Sequence, residues 1–135
     1  MSAELENLVK IGRIFPFTPA PKPLEELRAS GRAKLKDAAK QDLSRPSQFD
    51  LAYGGTFALS LAALHATGHK PQDRIDAINT LTHTTTLAIG HRRVILRAHT
   101  LRNQAEYEGE RVDDAQLVTD LIAAGNALAA LLPSP

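Results

Sequence analysis

Apolar residues recur every three or four positions along most of this chain. One such series runs through Val94, Ala98, Leu101 and Ala105, and another covers residues 117–131. This spacing places apolar side chains on one face of an α-helix. No stretch alternates apolar and polar residues for long enough to predict a strand. The pattern therefore predicts an all-α fold, an up-and-down bundle of about four to six helices.

The N-terminal segment, residues 1–22, differs from the rest of the chain. A short helix is predicted up to Gly12, and four prolines between positions 16 and 23 then favour an extended connector. We expect Phe15 and Phe17 to attach this connector to the bundle. Residues 23–132 are expected to form the bundle. Residues 1–135 are then a single domain, because one hydrophobic core can stabilise a chain of this length.

Turn and capping residues indicate the helix boundaries within the bundle. The first helix begins at Pro23 and could be broken at Gly31. The next, over about residues 48–67, is apolar around nearly its whole circumference, which predicts burial within the chain or at a contact between chains. Two amphipathic helices then meet near Gly90. The last helix is expected to begin at Asp113, in a pattern like a capping box.

Composition excludes several classes of protein. With 16 Lys and Arg against 15 Asp and Glu, the formal net charge is +1, so no overall field attracts nucleic acid or an anionic membrane. There is no cysteine, hence no disulfide and no thiolate nucleophile. The five histidines lack metal-ligand spacing, so we expect neither a metal nor a cofactor. Without a signal-like or membrane-spanning apolar run, the expected location is cytoplasmic.

A polar segment, HTLRNQAEYEG at residues 99–109, contains most of the candidate site residues. On a helix, His99, Arg102 and Glu106 form one strip beside the apolar face, and Asn103 and Tyr107 form a second row. Arg102 and Tyr107 diverge by about 140°, so they should not meet within one chain. The alternative interpretation is an ordinary exposed ion pair between Arg102 and Glu106 beside a histidine.

Two stretches, YGGTFALSLAALHATGHKP at residues 53–71 and LRNQAEYEG at residues 101–109, followed by an amphipathic helix, resemble the HEPN superfamily of helical-bundle proteins. The likeness covers roughly residues 34–132. In HEPN ribonucleases an R-x(4–6)-H motif from each of two protomers meets at a dimer groove. There the arginine holds the scissile phosphate and the histidine is the general base. Arg102 and Asn103 match the start of this motif, but Tyr107 stands where the histidine is expected.

The resemblance implies a homodimer that binds a partner protein, a nucleotide or RNA. The R-x(4)-Y form resembles HEPN proteins that accompany nucleotidyltransferases or belong to toxin–antitoxin pairs, which makes a nucleotidyltransferase or an antitoxin a candidate partner. It also makes Tyr107 a candidate acceptor for adenylylation, although a tyrosine at a helix end needs no such role. Tyr53 matches the tyrosine of an Ala-Tyr pair in such proteins and is expected near Arg102. Enzymatic activity is left open, and binding is favoured over catalysis because tyrosine, with a pKa of about 10, is a poor base at neutral pH.

Two alternatives stay open. In the first, the protein is a divergent, metal-independent ribonuclease that uses Arg102 with His99 or Tyr107 across a dimer. In the second, it is a structural interaction module without a ligand. An RNA assay beside a substitution of Arg102 separates the ribonuclease from the other two hypotheses.

A basic row is present on the helix that begins at Pro23. Its members follow one another at i+4 spacing: Arg28, Arg32, Lys36 and Lys40. Such a row could follow a phosphate backbone. Acidic residues interrupt the face and no aromatic residue is interleaved for base stacking, so a solvated charged surface is the simpler interpretation.

Overall fold

The computed structural model describes residues 2–134, and this part of the chain contains seven helices and two short strands. In chain order the helices are α1 (Ala3–Lys10), α2 (Pro21–Ala38), α3 (Arg45–Ala66), α4 (Arg74–Asn79), α5 (Leu81–Thr84), α6 (Ile89–Glu108) and α7 (Ala115–Leu131). The strands are β1 (Ile14–Pro16) and β2 (His69–Pro71). The predicted all-α helical bundle is therefore confirmed. Within residues 2–134 no helix is both long and apolar enough to cross a membrane.

Helix α3 is the central element of the bundle. It packs against α2, α7, α4 and α6, and half of its 22 residues, 11, are buried. The predicted burial of this helix is confirmed, and its neighbours in the same chain provide it. The helix begins at Arg45, earlier than expected, because the Ser44 hydroxyl accepts a hydrogen bond from the backbone N–H of Ser47 at 3.3 Å.

Helices α2 and α3 approach each other most closely at two glycines. A Cβ atom added at Gly55 would lie 2.7 Å from the carbonyl oxygen of Gly31, and one added at Gly31 would lie 2.9 Å from the carbonyl oxygen of Gly55. Gly31 therefore does not break α2, which is continuous from Pro21 to Ala38. Its lack of a side chain lets the two backbones come together.

The N-terminal segment contains a strand that the sequence did not predict. Strand β1 pairs antiparallel with β2, and Ile14 is fully buried. Ile14 is thus the main anchor of the connector, while Phe17 packs on the ring of His65 with centroids 4.6 Å apart. The Arg13 guanidinium adds an ion pair at 2.8 Å to the buried carboxylate of Asp76 in α4. The connector ends at Ala20, because Pro21 occupies the first turn of α2.

The segment between α3 and α6 departs from the predicted pair of helices. Residues 74–84 form two short helices rather than one, and α6 begins at Ile89 and continues through Gly90. The hydroxyl of Thr80 donates to the carbonyl oxygens of Asp76 and Ala77, as expected of threonines that favour helix ends. Thr85 is extended, at φ −139° and ψ 174°.

The start of the last helix is one residue later than predicted. The backbone N–H of Leu117 donates to the carboxylate of Asp114 at 3.0 Å, so Asp114 is the N-cap of α7. Asp113 pairs instead with Arg45, at 3.1 Å. Gly109 ends α6 in the left-handed conformation, at φ 71°, as its position in the sequence predicted.

Candidate functional site

A cleft of about 530 Å³ lies on one side of α3. Its walls come from α2, α6, the first residue of α4 and residues 110–112. The charged residues that line it are Lys34, Asp50, Arg74, Arg102, Glu106, Glu110 and Arg111. Four of these are cations and three are anions. The cleft therefore has a small excess of positive charge on a chain that is almost neutral as a whole.

The floor of the cleft is a row of aromatic rings along α3. Phe49, Tyr53 and Phe57 are one turn apart, and successive ring centroids are separated by 6.3 and 6.4 Å at interplanar angles of 19° and 12°. Two guanidinium groups cover this row. That of Arg102 lies 5.1 Å from the Tyr53 centroid, and that of Arg74 lies 4.6 Å from the Phe57 centroid. Both positions suit cation–π attraction.

A chain of hydrogen bonds connects Tyr53 of α3 to α6. The Tyr53 hydroxyl is 2.8 Å from Nδ1 of His99, and Nε2 of His99 is 3.1 Å from the side-chain nitrogen of Asn103. The oxygen of Asn103 accepts from Nη1 of Arg102 at 3.2 Å. Arg102 also pairs with Glu106 at 3.1 Å. We call Arg102, Asn103, His99 and Tyr53 the donor chain.

The two titratable members of the donor chain stay neutral near pH 7. Burial lowers the pKa of His99, and the charges of Arg102 and Arg74 lower it further. Burial also raises the pKa of Tyr53, against the opposing effect of the two arginines. His99 is only 8% exposed and Tyr53 only 3%. Both guanidinium groups therefore act on the same pair of buried side chains.

The structure brings together five of the six residues singled out in the sequence. Arg102, Glu106 and Tyr53 line the cleft, and His99 and Asn103 connect Tyr53 to Arg102 by hydrogen bonds. The proximity of Tyr53 to Arg102 is as expected. The separation into a strip and a second row needs correction, because Asn103 bonds to His99 and so belongs with the strip.

Tyr107 is the exception among these residues. Its side chain is 94% exposed and it is absent from the cleft lining, in agreement with the divergence from Arg102 worked out on the helix. His99 has both ring nitrogens hydrogen-bonded inside the chain, so neither nitrogen faces the cleft as a free base.

Several site residues could not be singled out from the sequence. Arg74, Lys34 and Arg111 reach the cleft from other elements, and no local pattern marks them. The aromatic row had a visible signal, since the stretch FDLAYGGTF repeats an aromatic residue every fourth position.

The basic row on α2 is only partly free. Nη2 of Arg32 lies within 2.9 to 3.1 Å of three carbonyl oxygens at the end of α7. Lys40, predicted on the same helix, lies beyond the end of α2 at Ala38 and pairs with Asp37 at 3.1 Å. Among residues 2–134, no group of three or more His, Asp or Glu side chains is arranged to hold a metal ion.

Comparisons with known protein families, curated proteins and solved structures found no match. The resemblance to HEPN proteins therefore stays a prediction.

Proposed function

We propose that the protein binds a phosphate-bearing ligand, a nucleotide or RNA, in the cleft beside Arg102. One observation carries the proposal: Arg74 and Arg102 cover neighbouring rings of the aromatic floor, and of the two only Arg102 has a carboxylate partner, Glu106, within residues 2–134. Among residues 2–134, Arg74 has no carboxylate oxygen within 4.0 Å. An anion between the two guanidinium groups would relieve their mutual repulsion.

Phosphate is the anion that this arrangement suits best. A guanidinium group donates two parallel hydrogen bonds to a phosphate, and its planar shape can stack on a ring at the same time. The Arg102 side chain is 24% exposed, so it is partly shielded from water yet reachable from the cleft. Partial burial strengthens its attraction to a bound charge relative to a fully solvated arginine.

The resemblance to HEPN proteins extends the proposal to partners. It supports a homodimer and a role beside a nucleotidyltransferase or in a toxin–antitoxin pair. Gly55 of α3 is covered by α2, so a dimer contact through this helix would use the side of Gly54, which lines the cleft. No observation favours the ribonuclease alternative, because His99 is enclosed and Tyr107 is outside the cleft.

Fluorescence anisotropy with a labelled single-stranded RNA and with labelled AMP tests the proposal. Arg102→Gln and Arg74→Gln should each weaken binding by about tenfold or more, the value of one charge-assisted hydrogen bond. The dependence of the RNA affinity on salt should also decrease, by about 0.7 in log–log slope for each lost phosphate contact.

Arg93→Gln is the matched control. Arg93 is exposed on the same helix, α6, and is not part of the cleft lining. Binding that is unaffected by the two cleft substitutions, or that falls equally with the control, contradicts the proposal. Analysis of the RNA after incubation separates binding from cleavage, because cleavage that survives Arg102→Gln comes from another site.

A further inference from the structure

The donor chain has a direction, and that direction is set at Arg102. A guanidinium group can only donate hydrogen bonds, so the Asn103 atom that faces Arg102 must be the oxygen. The Asn103 nitrogen then faces His99 and donates to Nε2, which must accept. A neutral His99 therefore carries its proton on Nδ1.

The same reasoning fixes the Tyr53 hydroxyl. Because Nδ1 of His99 is protonated, it donates to the oxygen of Tyr53 across the 2.8 Å contact. The hydroxyl proton of Tyr53 is left without an acceptor, since His99 and Arg74, the side chains that hydrogen-bond to it within residues 2–134, both donate. Tyr53 is 3% exposed, and a buried donor without an acceptor is costly.

We infer that Asn103 and His99 make the Tyr53 hydroxyl a fixed donor in the cleft, selecting a ligand oxygen that can only accept hydrogen bonds. This inference rests on the proposed function and names the group that is bound. A phosphodiester oxygen and a terminal phosphate dianion both meet the requirement. A ligand hydroxyl or amine that points its own proton at the Tyr53 hydroxyl would meet a donor there, whereas a phosphate oxygen accepts from it.

Asn103 and His99 are positioning residues in this scheme, so their effect should be visible in the free protein. Proton–nitrogen correlation NMR at about pH 8, where histidine is neutral, reports which ring nitrogen carries the proton. We expect His99 protonated on Nδ1. Asn103→Asp offers Nε2 an acceptor in place of a donor, so the proton should move to Nε2 and Tyr53 should then donate to Nδ1.

Binding measurements in two backgrounds separate the effect of the reversed hydrogen bonds in Asn103→Asp from the effect of its added negative charge. Tyr53→Phe should weaken AMP or RNA binding by about tenfold in the wild-type background, by loss of one hydrogen bond to a charged group. In the Asn103→Asp background the same change should cost little, because the hydroxyl already donates inward. Gln104→Asp places the same charge on the exposed neighbouring residue and should preserve the tenfold effect of Tyr53→Phe.

Three ligands distinguish a terminal phosphate from a phosphodiester, and different results test the inference and the proposed function. AMP carries a terminal phosphate, an RNA oligonucleotide without terminal phosphates carries only diesters, and adenosine, which has neither, should not bind. His99 protonated on Nε2 in the wild type, or an equal cost of Tyr53→Phe in both backgrounds, overturns this inference and leaves the proposed function in place. Failure of both AMP and RNA to bind the wild type overturns the proposed function and this inference with it.

Discussion

Adjacent glycines at the centre of α3 should respond in opposite ways to the same substitution. Gly54 faces the cleft, where an added Cβ atom would lie 3.6 Å from Cδ of Lys34, an ordinary contact. At Gly55 the added atom would lie 2.7 Å from the carbonyl oxygen of Gly31 and 3.1 Å from Cγ of Leu35. The first site has room for a methyl group. The second requires α2 to move away.

The magnitudes follow from helix propensity and packing. Alanine is favoured over glycine inside a helix by about 1 kcal/mol, so Gly54→Ala should raise the free energy of unfolding by up to about that amount. Gly55→Ala gains the same term but adds an overpacking cost of about 1–3 kcal/mol, since the obstacle is backbone and cannot rotate away. We therefore expect the two variants to differ by about 1–3 kcal/mol, with Gly54→Ala the more stable.

Urea unfolding followed by circular dichroism measures both variants under the same conditions. The slope of the transition should stay constant, because neither substitution changes the surface exposed on unfolding. Gly31→Ala, whose Cβ would lie 2.7 Å from Cγ of Leu59, should lower the stability as Gly55→Ala does. Equal stability of the Gly54 and Gly55 variants would refute the argument that backbone contact sets the distance between α2 and α3.

Two further predictions concern stability. Arg32→Met should lower the free energy of unfolding by about 1–2 kcal/mol in the urea assay, because the end of α7 loses a charged hydrogen-bond donor. Lys36→Met, at an exposed member of the same basic row, is the control. An equal loss of stability in the control would contradict the role assigned to Arg32. Because the pKa of His99 in the folded chain lies below its ordinary 6.5, the unfolded chain binds the proton first. The free energy of unfolding should therefore be steady above pH 6.5 and fall as the pH decreases from 6.5 towards the lowered pKa. His99→Gln should reduce this fall and leave the part that comes from His65, whose pKa burial also lowers.

The elements that the sequence predicted well are those with local signals. Gly12 and Gly109 mark the ends of α1 and α6, and the apolar circumference of α3 marks its burial. The two strands were not predicted, because three residues are too few to display alternation and β1 pairs with a segment far along the chain. Gly31 was misread as a break because its role depends on Gly55 in another helix.

The residues of the candidate site show the same difference between local and long-range signals. Arg102, Glu106 and His99 could be grouped because helical phase relates residues that are three or four apart. Arg74 could not, since the packing of α4 against α3 and α6 brings it to the cleft. Asn103 was assigned to the wrong row although it stands four residues after His99 and about 40° further round the helix, which is within reach of its amide.

The site and the fold depend on the same turn of α3. Tyr53 presents the hydroxyl of the donor chain, Gly54 leaves space in the cleft above it, and Gly55 holds α2 against the opposite face. Lys34 reaches the cleft from α2, so its position relative to Tyr53 is set by the glycine contact rather than by any direct bond between them. A shift of α2 in the Gly55→Ala variant should therefore move one cation of the cleft while the donor chain, which joins α3 to α6, stays intact. Ligand affinity should then fall without a change in the protonation of His99, which separates the effect of cleft shape from that of hydrogen-bond direction.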